Sequence, residues 1–338
     1  MRVLSLKSAD GLDAVTLDTV ATPTPGPGEV RVALKAASLN HRELWITRGQ
    51  YPGMHLPATL GCDGAGAIDA VGEGVDPARV GEEVVLYPGL DWGDDERFPA
   101  AAFGLLGMPG PGTVADAICV PAARAIAKPK HLDFASAAAV PLAALTAWRG
   151  LVTKAGLKAG EKLLVTGVGG GVATFALKFG VAMGAQVFVT SGSDETLAKA
   201  RELGAAGTIN YREEKWAKPL AQASGGIDVV FDGAPAGGYR NYGRALNMGA
   251  RVVVYGSTGG QSFEVNAPEL FLKNIQLMGT NVGNPAEFEA MMAFVEDKAI
   301  EPVIDRSFAF SQAKEALAYL ESSHGFGKVV IDIGANGQ

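Results

Sequence analysis

The stretch that decides the fold is Leu163–Gly180, LLVTGVGGGVATFALKFG. Its first residues form a short apolar run that reads as a buried strand. The glycines after Thr166 read as a tight turn, and the apolar spacing beyond them has a helical period. Glycine lets such a turn close and lets a phosphate approach the backbone. The helix that opens next offers free N–H groups and the positive end of its dipole. A glycine cluster alone says little. Strand, turn, helix and a second strand, AQVFVTS (185–191), are together what a dinucleotide site requires. Gly167, Gly169, Gly170, Gly171 and Val172 are therefore expected to hold a pyrophosphate, with Ala173 where a last glycine is usual.

Working outward, the alternation continues. DETLAKARELG reads as a helix ending on Gly204, then GTIN, IDVVFDG, RVVVYGS and IQLMGT read as strands, with a helical YRNYGRALNMG (239–249) among them. Six short strands without a polar face, alternating with helices, predict a parallel sheet covered on both sides. The first third differs. EVRVALKAASL (29–39), AGAIDAVG (65–72) and GEEVVLYPG (81–89) read as strands between Pro/Gly turns such as TPTPGPG, which predicts an antiparallel β-rich unit. The tail reads as two amphipathic helices, NPAEFEAMMAFVEDKAI and SQAKEALAYLESS, and one strand, GKVVIDI. One strand and two helices make no core alone, so the tail is expected to rejoin the N-terminal unit. The expected division is 1–142 with 281–338 around an inserted dinucleotide-binding domain at 143–280. The fold class is α/β.

Composition narrows the partners. The formal net charge of −7 makes nucleic acid a poor partner. Two cysteines, Cys62 and Cys119, make no disulfide framework and fit a reducing compartment. The N-terminus has no apolar core like that of a signal peptide, and the apolar patch Ala135–Trp148 is broken by Pro141 and too short to span a bilayer. A cytoplasmic protein with no membrane partner is expected.

The second strand indicates which dinucleotide. It ends on Ser191-Gly192-Ser193 instead of the carboxylate that holds ribose hydroxyls in NAD enzymes. A 2′-phosphate meets no repulsion there, and Tyr211 and Arg212 could reach it. NADP(H) is expected over NAD(H), with Asp194 and Glu195 as the nearby residues that count against it.

These pieces resemble the medium-chain dehydrogenase/reductase superfamily, most closely its zinc-free quinone oxidoreductase-like branch. The resemblance runs through AASLNHRELWITRGQYP, LGCDGAGAIDAVGEGV, AVPLAALTAW, the glycine turn, TINYREE, IDVVFDGA, ARVVVYGS and FGKVVIDI. It implies a GroES-like catalytic domain with a Rossmann domain inserted late. Zinc enzymes of the superfamily place Cys, His-Glu and Cys at the positions of Asn40, Cys62-Asp63 and Leu142. Asn, Cys and Leu do not make a three-ligand catalytic zinc site. The four-cysteine structural lobe is missing as well, so no metal is expected. Arg42 stands where the proton-relay hydroxyl would be, which argues against ordinary alcohol oxidation.

The resemblance also implies roles. Asn40 faces substrate, its amide able to donate to a quinone or enolate oxygen. Tyr51 matches a tyrosine of zinc-free relatives and enoyl reductases that can give a proton. Cys62 and Asp63 complete the candidate catalytic set, the first read equally as a buried hydrophobe and the second as a turn carboxylate. His41 and Lys328 match pyrophosphate contacts, Lys328 being otherwise a solvated lysine before an edge strand. Thr146 lies near the nicotinamide, with Gly256, Ser257 and Thr280 in the loops that line it, and Ser191 and Tyr211 at the 2′-phosphate. The implied function is NADPH-dependent, zinc-independent hydride transfer to a quinone or related α,β-unsaturated carbonyl. The alternatives are an enoyl-thioester or alkenal reductase with Tyr51 as acid, a nucleotide-binding protein with little turnover, and last a zinc alcohol dehydrogenase. A homodimer is implied, with RVVVYGSTGG and QSFEVN as the segments suited to extend the sheet.

Overall fold

A computed structural model describes residues 1–322 and 325–334. The chain divides into two compact units, Met1–Ala143 with Gly283–Gln338, and Ala144–Val282.

The first unit is built around the strand Glu29–Leu39. It pairs antiparallel with Asp63–Val71, with Ala117–Pro121 and with Lys328–Asp332. The sheet runs Ala125–Ala127, Glu83–Leu86, Asp63–Val71, Glu29–Leu39, Lys328–Asp332, Ile304–Ala309. In Glu29–Leu39 every second residue is buried up to Leu34, as a one-sided strand requires, and then all four from Ala36 to Leu39 are buried. The helix Phe134–Ala138 packs on that stretch and closes its second face. The core joins Val30, Val32, Leu34, Ile68, Val84 and Ile331. Burial of such side chains stabilises by about 1.5–3 kcal/mol each.

The tail departs from its reading in one respect. It carries two strands, because Ile304–Ala309 pairs parallel to Lys328–Asp332. Ile304–Ala309 is the edge, so Lys328 opens an interior strand. The polar run Asp305-Arg306-Ser307 hid this strand from a search for apolar alternation. The helices Pro285–Asp297 and Ala313–Ser322 lie where the periodicity puts them, and the last residue of that reading, Ser323, lies outside the described residues.

The second unit is a six-stranded parallel sheet in the order Gly207–Asn210, Gln186–Ser191, Lys162–Val165, Ile227–Asp232, Leu246–Val254, Gln276–Gly279. This is the doubly wound order, and it puts the glycine turn at the carboxyl end of a central strand. Two readings are corrected here. The helix at 239–249 stops early: Pro235–Tyr242 is helical, and the strand begins at Leu246, where sheet pairing outcompetes local helix propensity. QSFEVN is not a strand and the RVVV of RVVVYGS lies on an interior strand, paired on both sides; the edges of the sheet are Gly207–Asn210 and Gln276–Gly279. No helix among the described residues is long and apolar enough to cross a membrane.

Candidate active site and nucleotide site

In the first unit, sheet register gathers a polar cluster. Ser38 pairs across the ladder with Asp63, and Leu39 with Val329, so Asn40 and Lys328 meet at the strand ends. Asp63 is fully buried. Its Oδ2 receives Asn40 Nδ2 at 2.8 Å and Lys328 Nζ at 3.0 Å, with Ser38 Oγ also at 3.0 Å. Its Oδ1 receives the Leu142 N–H at 2.9 Å. Lys328, 3% exposed, also donates to Asn40 Oδ1 at 2.5 Å. The second Asn40 amide proton is directed at Cys62 Sγ, 3.4 Å away.

A second ion pair lies next to this one. Asn40 precedes the helix His41–Thr47, and its N–H donates to Glu43 Oε2 at 2.7 Å. This bond ties the helix start to a buried carboxylate. Burial pushes the Glu43 carboxyl above its usual range, while Arg42 opposes the shift. Arg42 holds Glu43 Oε1 at 3.0 Å and donates to the carbonyls of Leu106 and Met108, which anchors the end of the 92–108 loop. Its Nε donates to the Tyr51 hydroxyl at 3.3 Å, with the guanidinium 4.7 Å from the ring centroid. The phenol thus accepts from Arg42, and no described residue accepts its O–H. His41 is exposed, and crowding by protein together with the Lys328 charge holds its imidazole below the usual value.

The geometry revises several expected roles. Asn40 is no free donor, because both amide protons and its carbonyl are engaged internally. Cys62 is fully buried, and burial, then Asp63 and Glu43, push its thiol well above the usual range, so it stays protonated and cannot serve as a nucleophile. Asp63 is fully buried and held by Asn40, Ser38, Lys328 and the Leu142 N–H, so it serves the local network instead of facing a substrate. Lys328 is neither solvated nor at an edge, and its ammonium turns to Asp63. An amide, a neutral thiol, a saturated carboxylate and the alkyl side chain of Leu142 do not fit a zinc centre. Among the described residues no three His, Cys, Asp or Glu side chains gather where a metal could be held.

In the second unit, the glycine turn presents backbone. Gly167 has φ +60°, which an L side chain resists. The Gly167 N–H is held by Thr190 Oγ1 at 3.0 Å. Gly170 caps the helix Gly171–Ala182 without a side chain, so the N–H groups of Gly171, Val172 and Ala173 stay free for an anion. Beside the turn is a residue that sequence reading missed. Asp232, fully buried, accepts from Thr166 Oγ1 at 2.5 Å, from Tyr242 Oη at 2.6 Å and from the Ala234 N–H at 2.8 Å. It ties the end of its strand to the residue before Gly167. The only signal for it was the carboxylate closing the apolar run IDVVFD.

At the end of the strand Gln186–Ser191, Tyr211 and Arg212 close over Gly192. A Cβ there would lie 2.8 Å from Tyr211 Oη and 2.9 Å from Arg212 Nε. Among the described residues the Arg212 guanidinium has no hydrogen-bond acceptor. Two carboxylates of the following helix are engaged elsewhere: Asp194 accepts from Asn210 Nδ2 at 2.8 Å, and Glu195 pairs with Lys199 at 2.8 Å. Ser191 is buried, with its Oγ accepting the Ser193 N–H at 3.3 Å. Gly256, Ser257 and Thr280 follow the last two parallel strands, and Thr146 is buried on the helix Pro141–Trp148.

A doubly wound sheet with an anion-ready turn, joined to a β-rich unit holding a buried polar cluster, defines a nucleotide-binding oxidoreductase. Residues 26–130 match the alcohol dehydrogenase GroES-like domain, and residues 171–297 match the zinc-binding dehydrogenase domain. The chain is 38% identical, over 94% of both chains, to the zinc-type alcohol dehydrogenase-like protein YogA of Leptosphaeria maculans. It is 28% identical to the quinone oxidoreductase of Rattus norvegicus, over 98% of this chain and 97% of that one. A solved NAD-dependent alcohol dehydrogenase superposes with a TM-score of 0.93 at 35% identity, covering 99% of this chain and all of that one. The chain belongs to the medium-chain dehydrogenase/reductase superfamily, as an oxidoreductase of the zinc-type alcohol dehydrogenase-like group.

Proposed function

We propose that this protein is an NADPH-dependent, zinc-independent reductase of a small conjugated electrophile, a quinone or α,β-unsaturated carbonyl. One observation carries the reading. The position of a catalytic metal is closed by Asn40, Asp63 and Lys328 bonded to one another, while the Tyr51 O–H, beside Arg42, is taken up by no described residue. Alcohol oxidation needs a metal or a free base to take up the hydroxyl proton, and Asp63 and Lys328 are committed to each other here; a conjugated acceptor needs only a hydride and a proton. The bound nicotinamide supplies the hydride. Tyr51 Oη delivers its proton to the reduced acceptor, and the Arg42 guanidinium stabilises the phenolate left behind until solvent reprotonates it. The free N–H groups of Gly171 and Val172 bind the pyrophosphate, with Arg212 and Tyr211 on the 2′-phosphate. A homodimer through the exposed edge Gln276–Gly279 completes the proposal.

The test is stopped-flow oxidation of NADPH, with NADH in parallel, against a quinone, an alkenal and an alcohol/aldehyde pair. Turnover of the quinone or alkenal that survives a chelator is the expected result. Turnover of the alcohol/aldehyde pair alone, abolished by chelator, would overturn the reading. Nucleotide binding with no turnover at all would favour a binding protein.

A further inference from the structure

The metal position is filled by a charge drawn from the far end of the chain. Asp63 is a fully buried carboxylate, and such a group needs a counter-charge held close. Lys328 lies 265 residues away in sequence, yet its Nζ is 3.0 Å from Asp63 Oδ2. The register explains its arrival. Val329 pairs with Leu39, and Ser38 pairs with Asp63, so three strands place Lys328 between Asn40 and Asp63. Local charge balances without help from outside: Lys328 neutralises Asp63, and Arg42 neutralises Glu43. A divalent cation would have to displace the donors already on Asp63 and would meet the Lys328 ammonium, 3.0 Å from Oδ2.

We propose that the Lys328 ammonium is the resident cation of this site, holding Asp63 and Asn40 in place and excluding a divalent metal from the position they occupy. Lys328 is thus a positioning residue that supplies, through a tethered side chain, the charge a metal would bring. The inference rests on the zinc-independent reading of the same site. Its test needs neither nucleotide nor substrate, so a failed turnover assay and a failed charge assay are told apart.

The test uses the full chain with Co²⁺ and Zn²⁺ alone as probes. In the wild type neither ion should move the melting temperature, and Co²⁺ should give no near-ultraviolet cobalt–thiolate band from Cys62. Lys328→Met should lower the melting temperature by about 5–10 °C, because it leaves a buried carboxylate unpaired. Asp63→Asn combined with Lys328→Met should restore most of that loss, since neither charge remains. Should Lys328→Met fail to fold, the comparison passes to Asp63→Asn alone, which strands the ammonium and should melt below the double variant. A stoichiometric cobalt–thiolate band in the wild type would overturn the proposal. So would a double variant no more stable than either single variant.

Discussion

Tyr51 and Arg212 are site side chains with donor capacity that no described residue takes up. Tyr51 accepts from Arg42 and donates to no described residue. Tyr51→Phe should keep NADPH affinity and lower kcat by about 100-fold, the range of a lost general acid. A matching loss of nucleotide affinity, measured by fluorescence titration, would assign Tyr51 to binding instead. The Arg212 guanidinium lies beside Gly192 at the end of the second parallel strand, and Asp194 and Glu195 nearby are held by Asn210 and Lys199. Arg212→Ala should weaken NADPH about 10- to 100-fold, as loss of a charged hydrogen bond does, and leave NADH nearly unchanged. An equal loss for both nucleotides would place Arg212 away from the 2′-phosphate.

The glycine turn binds as an element. Gly170 caps its helix in extended conformation (φ −73°, ψ 163°), with open space where a Cβ would be. Any residue could adopt that backbone, so the absence of a side chain serves the ligand. Gly170→Asp would hand the first turn its own carboxylate. The variant should gain a few tenths of a kcal/mol in stability, roughly, as a better cap does. It should lose nucleotide affinity more than about tenfold, because the carboxylate competes for the same N–H groups and repels phosphate. Calorimetric melting and nucleotide titration on one sample read both effects. The neighbouring Asp232 network is where reading by element stops short: the parallel sheet brings Thr166 and Asp232 together at two strand ends, and Tyr242 reaches Asp232 from the helix that follows.

For the whole molecule, the exposed edge Gln276–Gly279 matters most. Its backbone groups are unpaired on one side, and an open edge invites a second strand. Leu277 on the edge is 39% exposed, and Phe271 and Leu272 just before it are 64% and 66% exposed. The Gly249 N–H donates to the Lys273 carbonyl at 2.7 Å, which draws Met248, 69% exposed, into the same patch. A dimer through this edge should appear in light scattering coupled to size exclusion. Phe271→Glu with Leu272→Glu should shift it to monomer. An unshifted dimer would place the contact elsewhere.

Sequence by itself determined the two-unit plan and the parallel sheet, because apolar period and glycine position are local properties of the chain. The strand Glu29–Leu39 and all six parallel strands were legible for that reason. The glycine turn was legible too, since strand, turn and helix lie within one stretch. By residue type, Asn40, Cys62 and Leu142 also argued against a three-ligand zinc set. What sequence could not assign was direction. Asn40 read as a group facing a substrate, Asp63 as a catalytic or turn carboxylate, and Lys328 as a solvated or phosphate-facing lysine. Their true partners are one another, set by the pairing of Ser38 with Asp63 and of Leu39 with Val329 across three strands. The strand Ile304–Ala309 escaped notice because an edge strand needs no apolar face to be recruited. Pattern records which residues prefer burial, and only the assembled sheet decides which buried charges meet.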